Sequence, residues 1–323
     1  MKTLILGGTR FNGLALLEEL VRRGHDVAVL NRGNTPVELP ADVERLRGDR
    51  NDPDSMQKAL AGRSFDAVFD VSGYTPDQVR GALSALGDRS GHYIYTSSTA
   101  AYYGALIYPI KEYDRLMSDA RGGTYGWEKV QCERIVAEWS QTTGTQFSVV
   151  RPAYVYGPRN NLQMREPSYF YRLENNKPLL LPTRGIPLAH LVHVEDLAQI
   201  FAQCLDNPRA YGQTYNGVGP DYVSLRGWFA TMAAAVGVEA DVVQVPDDLT
   251  PMMKSFSYQT RRCVIYSLDK ITRDLDYKPK YDIWAGMRNS YEWYKQTLSG
   301  TFTWDLTEDE AILQEMRNRG DLK

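Results

Sequence analysis

Hydrophobic residues in the first half of the chain fall into two alternating periods. Apolar runs of strand length occur at 3–7, 26–31, 43–47, 65–71, 92–97 and 146–151, with helical spacing between several of them. Leu14, Leu17 and Val21 share one helix face, and Gly24 supplies its C-terminal stop. Asp52-Pro53 and Thr75-Pro76 each put a capping oxygen ahead of a proline suited to the first helical turn. Strands alternating with helices through short connections predict an α/β protein with a doubly wound parallel sheet. From about Pro158 the periodicity loosens, and prolines, tyrosines and asparagines interleave, as expected of a second, smaller lobe.

The first strand, Leu4-Ile5-Leu6, runs into Gly7-Gly8-Thr9-Arg10-Phe11-Asn12-Gly13 and then into the first amphipathic helix. Strand, glycine turn and helix in that order predict a pyrophosphate cradle. The turn is tight at Gly7, the helix amides face the phosphates, and Gly13 lets helix and strand approach. The alternative is an ordinary strand-to-helix turn without a ligand. With the second strand following at once, the arrangement reads as Rossmann-type dinucleotide binding. Ligands of such sheets bind at the carboxyl ends of the strands. The expected partition is 1–157 plus about 189–212 for the dinucleotide-binding domain, with about 158–188 and 213–323 forming a C-terminal substrate-binding lobe.

Composition narrows the possibilities. The 323 residues carry a net charge of -3, which offers no general attraction to nucleic acid or anionic membrane. No apolar run is long enough to span a bilayer, and the chain opens on a core strand rather than a leader. Cys132, Cys204 and Cys263 lie far apart without metal-ligand spacing, so no metal is expected and a cytoplasmic location is the simplest reading.

Cofactor choice is expected to be written after the second strand. An acid there would accept from a ribose 2′-hydroxyl and favour NAD. This chain has Asn31 and Arg32 instead, with Arg10 contributed by the glycine turn. Two cations without a carboxylate lean towards the 2′-phosphate of NADP. The competing reading keeps Asn31 for a 2′-hydroxyl of NAD and Arg32 as a solvated turn residue. Asp49, after the third strand, is placed to meet the adenine, although aspartate is also common in turns without a ligand.

Tyr125 and Lys129 are one turn apart on a helix expected over 124–139. The ammonium can stabilise tyrosinate and hydrogen-bond the nicotinamide ribose, which suits the phenol to proton transfer. The pattern alone says little. It gains meaning from the strand ending Tyr95-Thr96-Ser97-Ser98, which puts a hydroxyl at the same sheet edge.

Tyr93 to Ser98, Tyr102, the Tyr125/Lys129 pair, Arg151 to Pro158 and His193-Val194-Glu195-Asp196-Leu197-Ala198 occur in order. Together they resemble the extended short-chain dehydrogenase/reductase superfamily, the NAD-dependent epimerase/dehydratase group, from Met1 to about Asn207. The Gly-Gly-Thr-Arg-Phe-x-Gly turn and the tail from Phe302 to Leu313 are similar to an atypical subgroup that includes chloroplast stem-loop-binding proteins. The resemblance implies Tyr125 as acid/base, Lys129 as its partner and Ser98 as the catalytic hydroxyl, with Thr99 beside it. It implies cofactor contacts at Gly7, Gly8, Thr9, Arg10, Phe11, Asn12, Gly13, Asn31, Arg32, Asp49, Arg50 and Ser72. Further contacts are implied at Thr96, Tyr125, Lys129, Pro152, Ala153, Tyr154 and Val155.

Departures from the family pattern bear on the reaction. Thr99, Ala100 and Ala101 follow Ser98 where dehydratases carry an Asp-Glu pair, so dehydration and decarboxylation fall behind redox or epimerisation. Ala189 stands where nucleotide-sugar enzymes usually place a diphosphate-gripping arginine. Arg159, Arg184 or Arg261 could substitute, and Thr99, Tyr102 and Asn160 join the expected substrate contacts. His193, Glu195 and Asp196 read as a structural anchor rather than a metal site. The aromatic run Tyr169-Phe170-Tyr171 reads either as a cleft lining or as core.

The resemblance thus implies an epimerase acting on a sugar, nucleotide sugar or sugar-like alcohol through a transient ketone, using NAD or NADP. The alternatives are an NADPH-dependent ketone reductase and a non-catalytic RNA-interacting protein. The expected partner is a small sugar-like molecule, with no membrane and no nucleic acid. A homodimer is also implied, with Trp139 on the Tyr125 helix as a contact or, alternatively, a cap on the monomer core.

Overall fold

The structure is a computed structural model that describes residues 1–254 and 263–322. The predicted alternation is present: β1 (Lys2–Leu6), α1 (Phe11–Arg22), β2 (Asp26–Asn31), β3 (Glu44–Arg47), α2 (Pro53–Leu60) and β4 (Phe65–Asp70). It continues with α3 (Pro76–Leu86), β5 (Ser90–Thr96), α4 (Thr124–Thr143), β6 (Gln146–Pro152) and β7 (Tyr154–Tyr156). Then follow α5 (Glu166–Glu174), β8 (Leu179–Leu181), β9 (Leu188–His193), α6 (Val194–Cys204) and β10 (Gln213–Gly217). The chain closes with β11 (Tyr222–Ser224), α7 (Leu225–Val236), β12 (Val242–Gln244), α8 (Asp269–Leu275), α9 (Ile283–Thr297) and α10 (Thr307–Arg319).

The helix starts read from sequence carry their caps. Asp52 accepts from the amides of Asp54 and Ser55, and Thr75 forms a reciprocal capping box with Gln78. Gly24 follows α1 with a positive φ and bonds back to Val21. Helix α4 runs to Thr143, four residues beyond expectation, and stops at Gly144 in the left-handed conformation.

The chain forms two compact units. The first comprises Met1–Val155, Val194–Val218 and Tyr266–Lys280. Its seven strands are ordered β10-β6-β5-β4-β1-β2-β3, and every pair is parallel. The sequence partition differs at four places: 156–157 and 189–193 fall in the second unit rather than the first, and 213–218 and 266–280, expected in the substrate lobe, fall in the first. The latter two join the first unit because β10 extends the sheet beside β6 and α8 packs on β10.

Register aligns the strand ends. Leu30 pairs with Leu6, Leu6 with Asp70, Asp70 with Tyr95, and Tyr95 with Val149. The loops after these strands therefore converge along one carboxyl edge. One sheet face packs Leu4, Leu6, Val68, Tyr93 and Tyr95 against α2, α3 and α4 residues such as Leu60, Leu83 and Val136. Trp139 is half-buried, its ring edge-on to Tyr93 at 5.5 Å.

The second unit comprises Tyr156–His193, Gly219–Ile265 and Tyr281–Lys323, within the described residues. It pairs β9 with β11 and β8 with β12. Phe170 lies 5.2 Å from the Tyr291 ring and 5.3 Å from Tyr294, and Tyr169 meets Phe229, so this aromatic run is core. Arg172 and Asp309 form a buried, bidentate ion pair that ties α10 to α5.

Candidate active site

The glycine turn leaves β1 at the carboxyl edge with Gly7 at φ 115° and Gly8 at φ 84°. A Cβ on Gly13 would lie 2.7 Å from the Gly8 amide nitrogen, so only glycine lets α1 start this close to the turn. No side chain caps α1 at Arg10, which leaves its first amides available to an anion. The Asn12 Oδ1 is buried without a hydrogen-bond partner, and so is Thr96 Oγ1 at the end of β5. A glycine cradle, uncapped amides and orphaned polar atoms along one edge fit a nicotinamide dinucleotide. The turn from Gly7 to Gly13, with Ser72 and Thr96, would hold it.

Several expected cofactor residues are already engaged within the protein. Asn31 Oδ1 accepts from the Gly33 amide, and Asp49 Oδ1 accepts from the amide and side chain of Asn51. Arg50 makes a two-pronged pair with the fully buried Asp70 at 2.8 and 2.9 Å, and also donates to Ser72 Oγ. Asp70 also accepts from the Tyr93 hydroxyl. Burial would raise the Asp70 carboxyl, but the Arg50 guanidinium and these hydrogen bonds hold it below the ordinary range. Arg50 thus acts as a strut beneath the cradle. Ser72 Oγ donates to the carbonyl of Leu6, tying the loop after β4 to the root of the glycine turn. Arg10 and Arg32 are both exposed, and Arg10 donates to Thr35. Pro152 ends β6, and the Ala153 amide bonds to Gly217, so the 152–155 segment leaves the same edge.

The catalytic candidates lie on adjacent elements of this edge. Ser98 begins a short 3-10 turn and its Oγ accepts from the Ala100 amide, which leaves the hydroxyl proton to donate elsewhere. Gly126 packs so closely on the Ala100 carbonyl that a Cβ there would collide with it. That contact brings the start of α4, with Tyr125, against the Ser98 turn. Tyr125 is 46% exposed, whereas Lys129 is 2% exposed. The Lys129 Nζ donates to Gly73 O at 2.6 Å, Thr96 O at 2.8 Å and the Tyr95 hydroxyl at 3.2 Å. It lies 5.9 Å from the Tyr125 ring centroid. Burial pushes its pKa down to about 8, opposed chiefly by Asp70. All three donors meet protein acceptors, so the expected bond to a ribose requires one of these to be released.

Beneath Ser98, a buried network fixes β5 to α4. Ser97 Oγ donates to Glu133, which is held by Arg151 in a bidentate pair at 2.9 and 2.6 Å. Arg151 also donates to the Tyr102 hydroxyl, which in turn donates to Asn216. Tyr102 is therefore committed to the core, while Thr99 is nearly buried in the 3-10 turn. Sequence reasoning passed over Glu133, Asp70 and Tyr95. Glu133 could have been found from its four-residue offset from Lys129 on one helix.

In the second unit, Asn160 is buried, with Nδ2 bonded to Glu166 and Oδ1 accepting from Leu162. Arg159 and Arg184 are exposed at positive φ. Arg261 lies outside the described residues. His193 bonds to Asn289 in this unit. In the first unit, Asp196 accepts from the Lys280 amide and Glu195 pairs with the Lys280 ammonium, which gives the segment its anchoring role. Among the described residues no group of His, Cys, Asp and Glu is arranged to hold a metal, and no helix is long and apolar enough to cross a membrane.

Residues 3–217 match the model of the NAD dependent epimerase/dehydratase family, and the chain belongs to that family. It is 32% identical to the chloroplast stem-loop binding protein of 41 kDa b of Arabidopsis thaliana, over 97% of this chain and 84% of the relative. It is 26% identical to 2'-dehydrokanamycin reductase of Streptomyces kanamyceticus, over 76% of this chain and 70% of that one. The fold is similar to that of UDP-glucose 4-epimerase of Thermotoga maritima, with a TM-score of 0.80 and 17% identity, covering 93% of this chain and 100% of the other. UDP-glucuronic acid 4-epimerase of Bacillus cereus, solved in complex with NAD, aligns at TM-score 0.75 and 19% identity, covering 94% of this chain and 100% of the other.

Proposed function

We propose that this protein is an NAD(P)-dependent epimerase-type enzyme acting on a sugar, nucleotide sugar or sugar-like alcohol through a transient ketone. The observation that carries the reading is the buried Lys129 ammonium beneath the exposed Tyr125, on a helix packed against the Ser98 turn. A nicotinamide bound along this edge supplies hydride acceptance and return. Ser98 donates its free hydroxyl proton to the substrate oxygen. Tyr125 takes up the carbinol proton and returns it. The charge of Lys129 favours the tyrosinate form and so lowers the cost of that transfer. No acid or base follows Ser98 to expel a hydroxyl, which leaves epimerisation ahead of dehydration.

The test is turnover of a panel of nucleotide sugars and sugar alcohols by the purified protein without added cofactor. Epimer formation with no net nicotinamide consumption supports the reading. Stoichiometric consumption of NADPH would move the protein to the second reading, a ketone reductase. Two observations favour that reading: the exposed Arg10 and Arg32 at the expected ribose site, and the similarity to a protein named as a reductase. For the third reading, an RNA-interacting protein, the name of the Arabidopsis relative adds a stem-loop to the panel. A homodimer in the cytoplasm is the assembly and location this reading carries.

A further inference from the structure

We propose that Tyr95 is a positioning residue for Lys129: its hydroxyl, with the carbonyls of Gly73 and Thr96, closes a set of three acceptors that holds the ammonium inward. The inference rests on the reading of Tyr125 and Lys129 as a proton-transfer pair. Tyr95 is fully buried on β5, and its hydroxyl meets Gly73, Lys129 and the Cys132 thiol. It donates to Gly73 O at 2.9 Å and accepts from Lys129 Nζ at 3.2 Å. Burial raises the Tyr95 hydroxyl far above its ordinary range, so it remains a neutral donor and acceptor throughout the working pH range.

A lysine ammonium has three N–H groups, and here each has its own acceptor. The rings of Tyr74, Tyr95 and Tyr125 surround it, with centroids at 5.1, 5.0 and 5.9 Å. The other charged or titratable groups acting on it are Asp70 at the end of β4, Cys132 and Glu133 on α4, and Arg50 after β3. Desolvation favours the neutral amine, whereas the three acceptors and Asp70 favour the ammonium. Removing the Tyr95 hydroxyl takes away one acceptor and leaves the burial in place. Lys129 then loses its proton at lower pH, and Tyr125 loses the neighbouring charge.

The experiment is an NMR titration of the full chain labelled with 13C,15N-lysine, with Lys129→Met used to assign the signal. In the wild type, the Lys129 midpoint is expected near 8. Its Nζ protons should resist solvent exchange. In Tyr95→Phe, which keeps the ring, the midpoint should fall by about one pH unit and the exchange protection should be lost. Tyr74→Phe removes a hydroxyl from the same cage that is not bonded to Nζ, and should leave the midpoint in place. An equal midpoint in wild type and Tyr95→Phe would overturn the proposal, as would a rapidly exchanging Nζ in the wild type. The titration needs no substrate, so a failure of the enzymatic reading is seen separately, as absence of turnover in the wild type.

Discussion

Lys129 donates a 2.6 Å hydrogen bond to the carbonyl of Gly73, and that bond joins the helix of Tyr125 to the loop behind the glycine turn. Ser72, the preceding residue, bonds to Leu6, directly before Gly7. One short loop therefore touches both the cofactor cradle and the buried ammonium. A disturbance of the cradle should be felt at Lys129 through these two bonds.

Gly13→Ala tests the cradle. The added methyl would meet the backbone of Gly8 at 2.7 and 2.8 Å, where no flexible side chain can give way. Overpacking of this kind costs about 1–3 kcal/mol. The expected outcome is a lower melting temperature together with at least a tenfold loss of NAD(P) affinity, read by fluorescence titration.

The Glu133–Arg151 pair supports Ser97 from below. Glu133→Ala leaves a buried guanidinium without its counter-ion and should cost about 3–5 kcal/mol by chemical denaturation. Replacing both residues with methionine should restore part of that loss, because the uncompensated charge is removed with its partner.

Arg10 and Arg32 are the test of cofactor choice. Replacing both with alanine should weaken NADP binding by about tenfold or more and leave NAD binding nearly unchanged, as measured by calorimetry. Equal losses for the two cofactors would assign these arginines elsewhere.

His92 predicts a pH dependence of stability. Its Nε2 donates to Ser148 Oγ, which itself donates to the Ala210 carbonyl, and burial lowers the imidazole pKa to about 4. The unfolded imidazole titrates near ~6.5. Below that value protons bind the unfolded chain in preference. The contribution of His92 is therefore full above ~6.5 and is lost as pH falls towards 4, by about 3 kcal/mol in all. Denaturation across this range should show a shallower slope for His92→Gln than for the wild type.

Much of the first unit was legible because its signals are local. Asp52-Pro53 and Thr75-Pro76 announce helix starts through their own chemistry, and the six apolar runs have strand length. Strand β10 was not legible: Gln213-Thr214-Tyr215-Asn216-Gly217 is polar in sequence and is a strand because it pairs with β6. The glycine turn, Ser98, Tyr125 and Lys129 stand along one sheet edge, as their motifs indicate. The engagement of Arg50 by Asp70, and of Lys129 by Gly73, Thr96 and Tyr95, depends on strand register and could not be read from spacing.

Tyr125→Phe, assayed for both turnover and cofactor binding, bears most directly on the central claim. The ring and its packing are kept while the hydroxyl proposed to transfer the proton is lost. The predicted result is a fall in kcat of about 10²–10⁴-fold, with cofactor affinity within about threefold of wild type. Turnover undiminished in the variant would contradict the account.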